Sequence, residues 1–369
     1  MSKFKVEFTL KQHTPIIHFQ SEQKGATLRA TELKPKFDRF LKEFIFNGEI
    51  PKEFLICGQE NALDYKVKIF PEMSKSETIE QTNPKNGKSI PDPLFFGNMG
   101  DGKKKKFVNN ESINIIFSTF NTELLACIQK NFEAFIAMTN FGTRQSKGYG
   151  SFYIKDKKFN PSLIPFKVYS FNTKNWKKDI KLFYSFLRAG INTANFGGIY
   201  AKAAIFYYAK SKGWTWDKKA IKEKYLQNEL QQQQSKYKNS DAVHFTSNKK
   251  YLVRDLFGLS SEQSWMSYKA TVSKENNEID RFKSPITFKV IDKRVYFWAD
   301  SSVELLLNKT FKIKFNNRGD LILNTPQEFS FDDFFAQTFK INLASYIEPQ
   351  YHRNSEFKTL QNIFNQMKI

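Results

Sequence analysis

Cysteine is scarce in this 369-residue chain, with only Cys57 and Cys127. Two distant cysteines exclude a disulfide framework and a CxxC metal pair. Both have apolar neighbours and are expected to be buried thiols. Histidine is nearly as rare, at His13, His18, His244 and His352, and no HExxH or equivalent zinc spacing occurs. No metal or small-molecule cofactor is therefore expected. No apolar run approaches a membrane span, and the opening MSKFKVEF lacks a signal-peptide pattern. A cytoplasmic protein without a membrane partner is expected. Paired carboxylates, a nucleophile elbow and a Cys/His couple are also missing.

Positive charge is abundant. The formal net charge is +21 and the pI about 9.6, which favours a polyanionic partner. Only nine of the 58 basic residues are arginine. A chain rich in Lys, Asn, Phe and Ile partly reflects base composition, so single arginines are more telling than the lysine total. Aromatics make up 16 %, with 39 phenylalanines, and most of these must be core. A minority on a basic face could stack on RNA bases.

Along the chain, Phe4, Val6, Phe8 and Leu10 alternate as a strand with one buried face. After a long loop, Pro35 falls where a first helical turn tolerates proline, and Phe37, Phe40, Leu41, Phe44 and Ile45 form one helical face. A second strand is expected at Leu63–Phe70 and a third at Ile113–Thr119. Between them, 71–112 loses apolar periodicity and carries the run Lys103–Lys106, which reads as a mobile basic insertion. Asn121 or Thr122 caps a helix with Leu124, Leu125, Ile128, Phe132, Phe135 and Ile136 inward. A fourth strand, Tyr149–Ile154, follows a glycine-rich loop. The order strand, helix, strand, strand, helix, strand is that of the ferredoxin-like split βαβ unit.

From about Pro165 the pattern restarts. The expectation is an α+β protein of two tandem ferredoxin-like (RRM-like) domains with insertions, at 1–160 and 161–369, the second degenerate. Helices are expected at Trp176–Arg188, Tyr200–Lys212, 330–346 and 355–367, and strands at 268–273, 286–291, 294–298, 310–315 and 320–324. Residues 217–240, with four consecutive glutamines, look like a polar helical or flexible insertion.

The segment FGTRQSKGYGSFY, Phe141–Tyr153, organises this reading. Gly142, Gly148 and Gly150 bracket Arg144, Gln145, Ser146, Lys147 and Tyr149. Glycines permit positive φ and close backbone approach, and loop amides with two cations suit phosphate. No GK[ST] opens a helix behind it, which excludes a Walker loop, and the following strand excludes a dinucleotide fingerprint. A bland hairpin with solvated charges fits the same residues. Arg29, Lys34 and Lys36, at or in the first helix, could face RNA held near this loop or simply be solvated. Asn192 and Lys202, in RAGINTANFGGIYAK, offer a second phosphate contact or merely connect helices.

The glycine loop between second helix and fourth strand resembles the hallmark loop of the CRISPR-associated RAMP superfamily. Thr14-Pro15-Ile16-Ile17-His18, Gly25-Ala26-Thr27-Leu28-Arg29, Leu256–Leu259 and Arg281–Val290 strengthen the likeness. Within that superfamily the chain looks most like the first subunit of Cmr (type III-B) effector complexes. The resemblance implies a non-catalytic RNA-binding subunit that contacts the guide RNA near its 3′ end, the target RNA, or both, beside other Cmr subunits. Relatives that process CRISPR repeats are metal-independent endoribonucleases using histidine, so the alternative is such an enzyme with His13 or His18 as general acid or base. Five residues apart on an extended segment, these two histidines face opposite ways and do not form a facing pair.

Overall fold

A computed structural model describes residues 3–17, 27–78, 81–82, 89–90, 106–236, 245–265 and 268–367. They form mixed α and β structure in several sheets, grouped in two compact units: Met1–Lys178 with Thr287–Trp298, and Asp179–Ile286 with Ala299–Ile369.

In the first unit, β1 (Lys5–Gln12) runs antiparallel to β4 (Lys106–Ser118), with Phe8 opposite Ile115 and Leu10 opposite Ile113. The short β2 (Ile16–Ile17) continues along the same edge of β4. β3 (Lys66–Thr78) pairs with the other edge, and β5 (Phe152–Ile154) with the far side of β1. The order is β5-β1-β4-β3, every pairing antiparallel. Two helices, α1 (Ala30–Phe40) and α2 (Thr122–Met138), join β2 to β3 and β4 to β5. Phe37 of α1 packs its ring 4.8 Å from Phe135, 5.5 Å from Phe132 and 5.8 Å from Phe117. This aromatic knot binds both helices to the sheet, and Leu10, Leu33 and Ile113 are fully buried around it. Asn121 caps α2, accepting from the amides of Glu123 and Leu124 at 3.0 and 2.9 Å.

Four sequence expectations are corrected or narrowed. First, α1 starts at Ala30, so Pro35 lies inside it rather than in its opening turn. The amide that proline lacks would have bonded the carbonyl of Thr31, which is exposed to water. Beyond Phe40 the helix continues as a π-helical turn, Leu41–Ile45, in which Leu41 is buried but Phe44 and Ile45, expected on the apolar face, are exposed. Second, the ends of the 71–112 insertion are strand: the β3–β4 ladder runs from Lys66 opposite Ser118 to Thr78 opposite Lys106. Ladder hydrogen bonds do not depend on side-chain polarity, and here buried positions hold Asn110 and Ser112 as well as Phe107 and Val108, which leaves no apolar alternation to read. Residues 83–88 and 91–105, including Lys103–Lys105, lie outside the described residues. Third, of the two readings of the 217–240 insertion the helical one holds for much of it, as helices Asp217–Tyr225 and Gln227–Lys236. Fourth, Cys57 is exposed, because the chain reverses there, with Gln59 N–H donating to Ile56 O; Cys127 is half-buried.

A three-stranded sheet joins β6 (Tyr169–Asn172) to a hairpin, β7 (Ile286–Ile291) and β8 (Arg294–Ala299), in the order β7-β8-β6. In the second unit, a six-stranded sheet takes the order 215–216, 250–251, 318–324, 310–315, 270–275, 262–265. Helices Ala204–Ser211, Phe331–Thr338 and Ser355–Asn365 supply its aromatic core, which includes Phe334, Phe335 and Phe364. Two ion pairs are buried in it: Lys274 Nζ donates to both oxygens of Asp255 at 2.6 Å, and Arg254 Nε to Asp217 at 2.8 Å. Full burial pushes the Asp217 carboxyl up, but the Arg254 guanidinium pulls it down further, leaving it below its ordinary value.

Candidate nucleic-acid interface

The glycine loop is held by its own backbone. Phe141 N–H donates to Gly150 O at 2.9 Å, Gly150 N–H to Pro15 O at 2.8 Å, and Thr143 N–H to Ile17 O at 2.9 Å. Gly142 N–H donates to Glu32 Oε1 at 2.8 Å, and Gly148 O accepts from Thr14 Oγ at 2.6 Å. The glycines serve this inward packing. At Gly150, φ is +63° and an added Cβ would lie 1.9 Å from Phe141 O; at Gly142, φ is +79° and it would lie 2.6 Å from Ile17 O. The close approach expected toward RNA is an approach of the chain to itself.

Two segments singled out separately in the sequence meet here. Phe288 N–H, on β7, donates to Ser146 O at 3.1 Å, and Asn140 Nδ2 donates to Gln145 O and Phe288 O, both at 2.7 Å. Ser151 Oγ donates to Val290 O at 2.7 Å. Below the loop, Lys289 donates to Thr139 O at 3.0 Å and Asn140 Oδ1 at 3.3 Å, and its full burial draws the ammonium down to about 7.

The expected site residues separate into groups. Lys36 joins the loop, donating to Glu32 Oε1 at 2.7 Å and Gln145 Oε1 at 2.8 Å. Lys34, two residues earlier on α1, points elsewhere, bonding Asp38 at 2.8 Å and Leu63 O at 2.7 Å. Arg29 precedes the first helical residue and is half-buried. Arg144 sits at the loop tip with φ +59°; burial lowers its guanidinium from its ordinary value, Tyr149 nearby opposes this, and it stays charged. Lys147 turns inward, its buried ammonium 5.8 Å from the centre of the Phe288 ring. Asn192 and Lys202 belong to the second compact unit.

Tyr149 is fully buried and carries the loop toward residues that the sequence reading overlooked. Its ring stacks on Phe107 at 5.6 Å and meets half-buried Trp176 edge-on at 4.9 Å. Lys177 Nζ lies 4.2 Å from the Phe107 ring centre and 5.6 Å from that of Tyr149. The signal was present in the sequence Trp176-Lys177-Lys178, a scarce tryptophan beside two cations. Arg144, Lys36, Lys177 and Trp176 thus surround one loop with cations and an aromatic plane, the chemistry of a single-strand RNA contact.

His13 differs. Its Nδ1 accepts from Asp292 N–H at 3.1 Å, and its side chain is 5 % exposed. Burial lowers it from 6.5 to about 4 against the pull of Asp292, so the ring is neutral at neutral pH. The Asp292 carboxylate also lies 3.3 Å from Nδ1, and the ring is almost closed off from solvent. His18 lies outside the described residues. Among the described residues no cluster of three or more His, Cys, Asp or Glu could hold a metal, and no helix is long and apolar enough to cross a membrane.

No curated protein sequence matches the chain. Among solved structures, it is similar to one titled type III-B Cmr-beta bound to cognate target RNA, at 13 % identity and TM-score 0.30, over 42 % of this chain and 59 % of that one. It is also similar to Cmr1 from Pyrococcus furiosus in its apo form, at 13 % identity and TM-score 0.36, over 90 % of this chain and 96 % of that one. Residues 3–191 match the family profile of the Cmr1 N-terminal domain and 200–368 that of the Cmr1 C-terminal domain, so the chain belongs to the Cmr1 family of CRISPR type III-B Cmr subunits.

Proposed function

We propose that this protein is a non-catalytic RNA-binding subunit of a cytoplasmic type III-B complex. It contacts the guide RNA near its 3′ end, the target RNA opposite, or both, alongside other Cmr subunits. One observation carries the reading: Arg144, Lys36, Lys177 and Trp176 around a loop that is rigid by its own hydrogen bonds. Rigid cations and an aromatic plane bind a phosphate backbone without reading sequence. With its side chain 5 % exposed, His13 is hardly accessible to a ribose, which disfavours the nuclease alternative.

The tandem ferredoxin-like reading is part of this proposal. The order β5-β1-β4-β3 supports it for the first domain. β6, α3 (Trp176–Arg188) and the β7–β8 hairpin repeat strand, helix, strand, strand, with β8 central in the order β7-β8-β6. On this reading the second copy lacks its fourth strand and carries residues 189–285 as an insertion, and the boundary falls between Ile154 and Tyr169.

The test is binding of labelled single-stranded repeat RNA across a salt series. Arg144→Ala and Lys177→Ala should each weaken binding and reduce the log–log salt slope by roughly 0.7, the share of one phosphate contact. Unchanged affinity and slope in both folded variants would remove the loop from the interface. Specific cleavage of the RNA by purified protein, with or without EDTA, would establish the nuclease alternative instead.

A further inference from the structure

The second compact unit contains a cavity of about 290 Å³, and five of its ten lining residues are aromatic. Small-ligand pockets span roughly 300–1,000 Å³, so this one suits a single nucleotide and not a dinucleotide-sized cofactor. Tyr207 and Tyr346 line it with rings 6.0 Å apart and nearly perpendicular, at 88°. Tyr346 is fixed from behind: its hydroxyl donates to Lys202 O at 3.3 Å, and its ring meets Phe186 at 5.8 Å. Phe206 and Trp216, also in the lining, stack on each other at 4.9 Å and 18°. Tyr200 and Tyr207 are 42 % and 46 % exposed, a costly display for large aromatic side chains in water.

The polar lining identifies the occupant. Lys202 and Lys210 bring two cations to the same cavity, and Glu348 brings one carboxylate. A purely apolar peptide needs none of these. A nucleotide uses all of them: a π-face for the tyrosines, a phosphate for the lysines, and an exocyclic amine for the carboxylate to accept from. We infer that this cavity captures one unpaired base of single-stranded RNA, with its flanking phosphates on Lys202 and Lys210. The inference rests on the RNA-binding reading above but concerns a different surface. Lys202, expected from the sequence as a phosphate contact beside a glycine turn, takes that role here through the cavity.

The experiment uses full-length protein and single-stranded RNA with a single 2-aminopurine, together with photocrosslinking of 5-iodouridine RNA. Stacking on an aromatic side chain is worth roughly 1–3 kcal/mol per base, so Tyr207→Ala should weaken RNA binding about 5- to 150-fold and abolish 2-aminopurine quenching. Tyr207→Phe keeps the π-face and should bind like the wild type, which separates stacking from loss of fold. Crosslinks should map to Tyr200, Tyr207 or Tyr346. Wild-type affinity and quenching in Tyr207→Ala, with crosslinks only near Arg144 and Trp176, would overturn the pocket while leaving the RNA-binding reading intact. No RNA binding by any form would overturn both. Unaltered RNA binding in Tyr207→Ala with loss of a partner subunit would make the cavity a protein-docking site and end the proposal.

Discussion

His13 shows how one side chain's surroundings decide between chemistry and architecture. In the sequence, a rare histidine near a strand end in a resembling nuclease superfamily is a fair catalytic candidate. In the fold, it is an acceptor for Asp292 N–H in a nearly closed pocket, flanked by Lys11 and Lys289, whose charges disfavour protonation. Its folded pKa of about 4 lies below the unfolded 6.5, so the folded state binds fewer protons between those values. Its stabilising contribution is therefore complete above pH 6.5 and is lost as the pH falls toward 4. The loss should reach roughly 3 kcal/mol. His13→Asn keeps an acceptor for Asp292 N–H and removes the titration. Denaturant unfolding at pH 7 and pH 4.5 should show the wild type losing more stability than the variant over that interval. An equal loss in both would mean that His13 is not held neutral.

Among the elements, legibility followed burial. β7 and the strand Thr310–Phe315 have the bounds that their apolar content implies, and α2 announced both its cap and its inner face. The β3–β4 ribbon was only half legible, since the outer part of β4 buries polar Asn110 and Ser112 along with Phe107 and Val108, which breaks the apolar period. The glycine loop was found, but its reason was misread. Glycine spacing reports positive φ and close approach, yet not what is approached; β2 and β7, which brace the loop, are distant in sequence. Lys177 and Trp176 were missed because nothing local connects them to Tyr149. The internal role of the loop glycines is measurable. Gly150→Ala meets both a positive φ and the Phe141 carbonyl, so it should cost roughly 2–5 kcal/mol. Gly197, at φ +77° with nothing within 4 Å of an added Cβ, isolates the backbone cost alone, about 1–2 kcal/mol. Similar melting temperatures for Gly150→Ala and Gly197→Ala would show that the Gly150 contact yields freely.

For the whole molecule, the question is whether the +21 charge acts as a diffuse field or through built sites. A diffuse field would make all exposed lysines nearly equivalent. β3 offers the contrast, because it is the edge strand farthest from β5 in the order β5-β1-β4-β3 and carries exposed Lys66 and Lys68. Lysines on a sheet edge also have a plain structural use, since they discourage edge-to-edge pairing. Adjacent strands lie about 4.8 Å apart, so three strand spacings separate that edge from β5 by roughly 14 Å, beyond the ~10 Å Debye length at 0.1 M salt. Lys66 moreover pairs with Ser118, at the end of β4 opposite the start of β1, whereas β5 follows the loop and pairs with the end of β1. Lys66→Ala with Lys68→Ala should leave RNA affinity at 0.15 M salt within about twofold and the salt slope unchanged, while removing the same charge as Arg144→Ala with Lys177→Ala, which should reduce the slope by roughly 1.4. Equal losses from the two double variants would mean that net charge alone holds the RNA and that the rigid loop is only part of the scaffold.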